Sequence, residues 1–369
     1  MIQVKIYGAG SIGNHLTQAC RRANWNVVVV DTDPEALRRM REEIYPKRYG
    51  GWDKGIQLFT YDTAPKGGFD VIFIGTPPDA RIAVAKQAIA EQPRLIQFEK
   101  PIAPPNKEGE MLEIMAAMKD KNILGVVGYE YPLGEGAIGI NTALDNYGGI
   151  GEVQVLEVSF RETWKGILVA HPWLKGPEET YLGYWRRGGG TCGEHSHAIH
   201  FWQHFARRLG LGEITHVSAA MDEVVEGRAI YDRSSFLNVR TETGFLGRIA
   251  QDVVTDPPLH TLRMQGKRGF IEWRRFSTPQ KGIFEEVDFV TDSHNDHWKF
   301  PIKRPDDFYH EIDHIRDILD GKIAIKDSPL NLDTGFDTLN VISAAHRSHS
   351  QNGAFVPTLH ACGAPIKEL

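Results

Sequence analysis

Cysteine is scarce in this chain: three residues in 369, Cys20, Cys192 and Cys362. An odd, widely spaced trio excludes a disulfide framework and implies reduced thiols. Long apolar runs are absent too. None approaches the roughly 20 residues needed to cross a bilayer, and the first strand pattern begins at Ile2, leaving no room for a signal peptide. The cytoplasm is therefore the expected location, with no membrane partner. Nor is there an excess of positive charge. Lys and Arg total 42 against 48 Asp and Glu, a net charge of -6, and no basic tract could follow a phosphate backbone. Nucleic acid is not an expected partner. Repeats and low-complexity tracts are missing, which excludes solenoids and long disordered tails. What is left is an ordinary soluble composition, 41% hydrophobic and 24% charged, long enough for two domains.

The most informative stretch is the first. An alternating β pattern runs into Gly8-Ala9-Gly10-Ser11-Ile12-Gly13, and an acid, Asp31, closes the next apolar run, Val27-Val28-Val29-Val30. Strand, glycine turn, helix, second strand and acid in register form a dinucleotide-binding fingerprint. Gly8 permits the tight turn, Gly10 lets backbone approach a diphosphate, and Gly13 lets the helix pack closely on the strand. Ser11 and Ile12 then offer N–H groups at the helix start. Asp31 reaches the ribose hydroxyls and would repel a 2′-phosphate, while the nearest arginines, Arg38 and Arg39, lie about two helical turns away. NAD is thus the expected cofactor, and NADP is disfavoured.

Strand-like runs alternate with helical patterns up to residue 127: Val4-Tyr7, Val27-Asp31, Gln57-Thr60, Val71-Gly75, Leu95-Phe98 and Ile123-Val127. This order predicts a parallel α/β sheet. The stretch from Pro46 to Gly55 is too irregular to place. Beyond Tyr129 the texture changes to strands without regular intervening helices: Val153-Arg161, Ile214-Met221, Ser235-Thr243, Phe245-Val254, Leu259-Gln265 and Gly269-Trp273. They predict an antiparallel sheet, flanked by helices at about 135-147, 194-209, 307-320 and 332-348. The expected domains are 1-127, a Rossmann dinucleotide-binding domain, and 128-369, an α/β domain with a large open-faced sheet for substrate and oligomer contacts. More sheet than the local helices can cover predicts a homodimer or homotetramer packed through it.

Three further features fall at strand ends or helix starts, where open α/β sheets bind ligands. Thr76-Pro77-Pro78-Asp79 follows the fourth strand, and Thr76 and Pro77 are candidates for cofactor contact. Glu99-Lys100-Pro101 ends a buried strand beside the place where nicotinamide would lie, so Glu99 and Lys100 join the cofactor candidates. The third is Gly188-Gly189-Gly190, leading through Glu194, His195, His197 and His200 into a helix that carries Glu194, His197, Phe201, His204 and Phe205 on one face. These acids and histidines could bind metal, but no CxxC or HExxH accompanies them, and none is expected. His195 and His204 read singly as packing or surface histidines.

The GAGSIG turn with Asp31, TPPD, EKP and GGG followed by Glu194 and HSH resemble the successive marks of the Gfo/Idh/MocA family of nicotinamide-dependent dehydrogenases. Gln265-Gly266-Lys267-Arg268-Gly269-Phe270-Ile271-Glu272 is similar to its late sheet motif, and the helix after Asp327-Ser328-Pro329-Leu330 to its terminal one. The resemblance spans nearly the whole chain. It implies a Rossmann domain followed by an open-faced antiparallel sheet, and substrates that are mostly cyclic polyols, sugars or sugar derivatives. It also implies that Lys100 and His197 meet at the substrate hydroxyl. The chain departs from the pattern where Glu194 stands three residues before His197 in place of an aspartate four before it, where His200 replaces a later acid, and at Arg81, Pro132 and Leu133. The implied activity is reversible oxidation of a secondary alcohol, with His197 as general base, Lys100 stabilising the alkoxide and Glu194 holding the imidazole or a neighbouring hydroxyl. Tyr129, Arg161, Trp185 and Arg187 are candidates for substrate contact. Two other readings stand beside it: NAD-dependent glycoside hydrolysis on the same fold, and a regulator that senses dinucleotide or sugar without catalysis.

Overall fold

The computed structural model describes residues 1-171, 173-278 and 282-361; Cys362 lies outside them. Cys20 and Cys192 are buried free thiols. Two compact units are present. The first comprises Met1–Ala103, Lys107–Glu130 and Arg304–Phe336, and the second Pro104–Asn106, Tyr131–Lys303 and Asp337–Leu369. The units therefore differ from a division at 127/128, because a late segment returns to the first. Its helix α10, Asp306–Leu319, carries Phe308, Ile312, Ile315 and Ile318 into that unit's core.

Six parallel strands build the first sheet: β1 Gln3–Tyr7, β2 Asn26–Asp31, β3 Ile56–Thr60, β4 Val71–Ile74, β5 Leu95–Phe98 and β6 Leu124–Val127. Their order is β3-β2-β1-β4-β5-β6, the doubly wound Rossmann arrangement. All four residues of β4 and of β5 are buried, as a parallel sheet covered on both faces requires. Connections run through α1 Ser11–Arg22, α2 Pro34–Arg39, α3 Tyr45–Tyr49, α4 Pro78–Ala90 and α5 Glu108–Asp120. Asp33 caps α2, accepting the Glu35 N–H at 2.9 Å. Of the stretch that looked irregular, the part up to Tyr49 is helical and the rest to Gly55 is a loop. A π-helical turn over Met40–Ile44 leads into α3, which ends at Gly50 in the left-handed region (φ 84°). Tyr45 donates to Gln18 at 2.6 Å and its ring packs on Tyr49 and Trp52, so the segment lies along α1.

The second unit holds a sheet of nine described strands: β7 Val153–Arg161, β8 Ile214–Glu226, β9 Ala229–Thr241, β10 Leu246–Asp252, β11 Leu259–Gly266, β12 Gly269–Thr278, β13 Gly282–Thr291, β14 Asn295–Ile302 and the short β15 Val356–Pro357. Only β7 and β10 pair in parallel among them. One face is packed by helices: α6 Glu135–Asn146, α9 His197–Arg208 and the later part of α11 Leu332–Ser350 contribute Ile140, Phe201, Trp202, Phe205 and Val341 to a core with Leu156, Val158, Leu237, Ile249, Leu262 and Val287. The short helices α7, Lys165–Ala170, and α8, Gly190–Glu194, lie in the long connection after β7. Among the described residues no helix of the unit packs on the opposite face in this way. There Phe236 and Leu246 are 54% and 58% exposed, beside ion pairs such as Arg263–Glu272 at 2.9 Å and Arg274–Asp288 at 2.8 Å.

Candidate functional site

In the first unit, three turns gather at the carboxyl ends of the parallel strands. The turn after β1 needs its glycines. Gly8 sits at φ 107°, and a Cβ on Gly13 would lie 1.9 Å from the Gly8 carbonyl oxygen. Asn14 fastens the turn by donating to the carbonyls of Ala9 and Gly10 at 3.1 and 2.8 Å. The N–H groups of Ser11, Ile12 and Gly13 open α1, where no intrahelical acceptor exists. At the end of β2, the Asp31 carboxylate accepts the Ala9 N–H at 2.8 Å and the Asp33 N–H at 2.9 Å, which holds it beside the glycine turn. The two arginines near it are engaged: Arg38 with Glu35, Glu42 and Glu43, and Arg39 with Asp33 at 3.2 Å. This combination of glycine backbone, helix start and carboxylate suits a dinucleotide without a 2′-phosphate.

The second and third turns are tied together by Arg81, a buried side chain on α4. It donates to the Thr76 carbonyl at 2.9 Å, to the Glu99 carbonyl at 2.7 Å, and also to that of Pro101. Thr76, Pro77, Glu99 and Lys100 are thereby brought to one edge of the sheet, and the half-buried Lys100 is followed by a cis bond to Pro101. The Glu99 side chain points into the unit. Burial pushes its carboxyl up, opposed by Arg81 and Lys100. Gln97 donates to Glu99 at 3.1 Å and to Glu311 on α10 at 2.9 Å. Burial and Glu99 push Glu311 up as well. Neither Gln97 nor Glu311 was legible as a site residue, since Glu311 arrives from a segment more than 200 residues away in the chain. Tyr129 is 1% exposed and packs inside this unit.

In the second unit the glycine run closes over an acid that the sequence reading missed. A Cβ on Gly190 (φ 74°) would lie 1.8 Å from Asp232 Oδ1, and Asp232 Oδ2 accepts the Cys192 N–H at 2.7 Å. Burial pushes the Asp232 carboxyl up to about 7. The expected continuous helix from Glu194 is broken: α8 ends at Glu194 and α9 begins at His197. Ser196 donates to the Gly193 carbonyl at 2.8 Å, and Gln251 on β10 donates to the His195 carbonyl at 2.6 Å, so backbone groups at the break find partners outside a helix ladder. Glu194 and His197 therefore do not share a helical face. Both remain partly exposed, while His195 and His200 are buried. The Tyr181 hydroxyl lies 3.5 Å from Glu194.

His197 packs on Tyr131, ring centroids 5.0 Å apart. The Tyr131 hydroxyl lies 3.0 Å from His260 Nδ1, and His260 stacks on Phe160 at 4.3 Å. Burial lowers His260 to about 4, and its Nε2 faces the Glu162 carboxylate at 3.5 Å. A histidine in the inward phase of β11, among Leu262 and Met264, was a visible signal for this group. Of the substrate-contact candidates, Arg161 faces Asp252 at 3.9 Å, Trp185 stacks on His346 at 4.4 Å, and Arg187 lies over Tyr184 at 5.6 Å. Glu213, Asp337 and His360 form the one three-ligand cluster among the described residues. Arg207 occupies it, donating to Glu213 at 2.6 and 2.8 Å and to Asp337 at 2.5 Å, and a guanidinium there opposes a cation.

A family model described as the TrkA-N domain matches residues 4-52. No curated protein matches the sequence. Among solved structures, similarity extends over nearly the whole chain at low identity. GenD2 from gentamicin A biosynthesis, in complex with NAD, matches with TM-score 0.73 and 18% identity, covering 97% of this chain and 96% of that one. Levoglucosan dehydrogenase in complex with NADH gives 0.72 and 18%, covering 97% and 99%. A putative myo-inositol dehydrogenase from Sinorhizobium meliloti 1021 gives 0.69 and 19%, covering 97% and 100%. The resemblance to the Gfo/Idh/MocA oxidoreductases carried by the motifs thus holds at the level of the fold.

Proposed function

We propose that this chain is an NAD-dependent oxidoreductase that moves hydride between a secondary alcohol of a sugar, cyclic polyol or sugar derivative and nicotinamide. The observation that carries the reading is the convergence, at one sheet edge, of the glycine turn with Asp31 and the Lys100 turn that Arg81 braces. Gly8, Gly10, Ser11, Ile12, Gly13 and Asp31 would hold the adenosine diphosphate half, and Thr76, Pro77, Glu99 and Lys100 the nicotinamide half. When bound, the cofactor accepts the hydride. The remaining chemistry is proton handling at the substrate hydroxyl. His197 takes that proton as general base, and Lys100 stabilises the oxygen as negative charge develops. Glu194 holds the imidazole or a neighbouring hydroxyl, with Arg161, Trp185 and Arg187 as candidate substrate contacts. The preference for NAD is supported by Asp31 and by the engagement of Arg38 and Arg39 with carboxylates. Solved neighbours complexed with NADH and levoglucosan, or with NADH and L-sorbose, point to the same substrate class.

We further propose that the open sheet face carries a homodimer or homotetramer, on the strength of the exposed Phe236 and Leu246. Among the described residues no helix is long and apolar enough to cross a membrane, which suits the expected cytoplasmic setting. The test of the function is NADH formation from NAD over a panel of inositols, hexoses, anhydrosugars, amino sugars, uronic acids and nucleotide sugars. Turnover with at least one member is expected; failure of the protein to bind NAD would refute the reading.

A further inference from the structure

The dinucleotide reading leaves one group of the first unit unexplained, the guanidinium of Arg48 on α3. It reaches the first turn of α1, where Nη2 donates to Ser11 Oγ at 2.9 Å and Nη1 to the Ser11 carbonyl at 3.1 Å. Nη1 also lies 3.3 Å from His15 Nε2. The Tyr49 hydroxyl lies 2.6 Å from His15 Nδ1, and Phe308 stacks on the imidazole at 4.8 Å. Each of these partners is neutral. Burial, then Arg48 and Arg304, lowers His15 to about 3, and burial pushes Tyr49 up. Among the described residues no carboxylate pairs with Arg48. Arg304, the second cation nearby, already has Asp307 at 3.2 Å. Arg304 faces the Glu130 carboxylate as well, whereas the half-buried Arg48 charge has only neutral hydrogen-bond partners. Taking such a charge partly out of water is costly unless an anion compensates it.

We propose that Arg48 is a diphosphate-binding residue, its charge placed through Ser11 at the glycine turn so that the bound dinucleotide supplies the missing anion. Hydrogen bonds between guanidinium and phosphate are charge-assisted, about twice as strong as neutral ones. The inference rests on the dinucleotide reading above. It also gives the segment between β2 and β3 a task beyond packing on α1.

Calorimetric titration tests it, using NAD, NADP, ADP-ribose and adenosine against the full-length protein and its Arg48→Gln, Arg48→Ala and Arg48→Lys variants, with melting of the free protein as the fold control. Arg48→Gln and Arg48→Ala should weaken NAD and ADP-ribose about tenfold or more. Arg48→Lys should recover part of the loss, and adenosine, which has no phosphate, should bind as before. The salt dependence of NAD affinity should be shallower in Arg48→Gln than in the unmutated protein. Unchanged NAD and ADP-ribose affinity in Arg48→Gln would overturn the proposal. So would an equal loss for adenosine, which marks Arg48 as a packing residue, or a loss confined to NADP, which assigns it to the 2′-phosphate. If the unmutated protein binds neither NAD nor ADP-ribose, the dinucleotide reading falls together with it.

Discussion

At the scale of single residues, the cofactor preference turns on Asp31. Its carboxylate is fixed by two backbone N–H groups, from Ala9 and Asp33, so it cannot easily swing away from an incoming 2′-phosphate. The unmutated protein should bind NAD more tightly than NADP. Asp31→Ala should narrow the ratio of the two dissociation constants by roughly tenfold, about 1.4 kcal/mol, although both ligands lose some affinity as the turn loosens. Equal constants before mutation would contradict the assignment. Asp31 and the glycines were legible in the sequence because the site they build is local, confined to one strand-turn-helix-strand unit. Arg81 was noticed as a departure from the family pattern, yet its work of joining the Thr76 and Glu99 turns depends on a buried meeting of three segments that no spacing rule encodes.

At the scale of elements, the parallel strands were legible because burial on both faces makes them continuous apolar runs. β13 and β14 were missed for an equally physical reason. β13 places Glu285 in its buried phase, beside Arg275 at 3.5 Å and the Gly136 N–H at 2.8 Å, so the polar pattern hides the strand. β14 alternates exposed and half-buried residues and carries Pro301, as suits an edge strand. The break between α8 and α9 was unreadable because Asp232 and Gln251, which lie at both sides of it, come from strands later in the chain. Asp232 gives this element a pH signature. With its carboxyl raised to about 7, folding favours the protonated form, so its contribution is full below about pH 4 and is lost as pH rises through 7. Asp232→Asn keeps an acceptor and stays neutral. Its melting temperature relative to the unmutated protein should therefore rise by a few degrees between pH 5 and pH 8. Parallel profiles in thermal melts would show that the carboxyl does not titrate there.

At the scale of the whole molecule, the two-domain character was legible from the change in texture near residue 130, but the return of 304-336 to the first unit was not, because α10 reads simply as another amphipathic helix. The exposed sheet face sets the expected assembly. Phe236 lies in register with Ala220 on β8 and Ala250 on β10, an apolar spot on the exposed face. Phe236→Asp together with Leu246→Asp should shift light scattering toward smaller species at micromolar concentration, and an unmutated monomer under those conditions would refute the assembly. The central claim, hydride transfer with Lys100 and His197 serving one hydroxyl, is met most directly by a double-mutant cycle on whichever panel substrate reduces NAD. Lys100→Ala and His197→Ala should each lower turnover by about two orders of magnitude or more while NAD still binds, and the double variant should be little worse than either. Turnover undiminished in His197→Ala, or losses that simply multiply in the double variant, would contradict it.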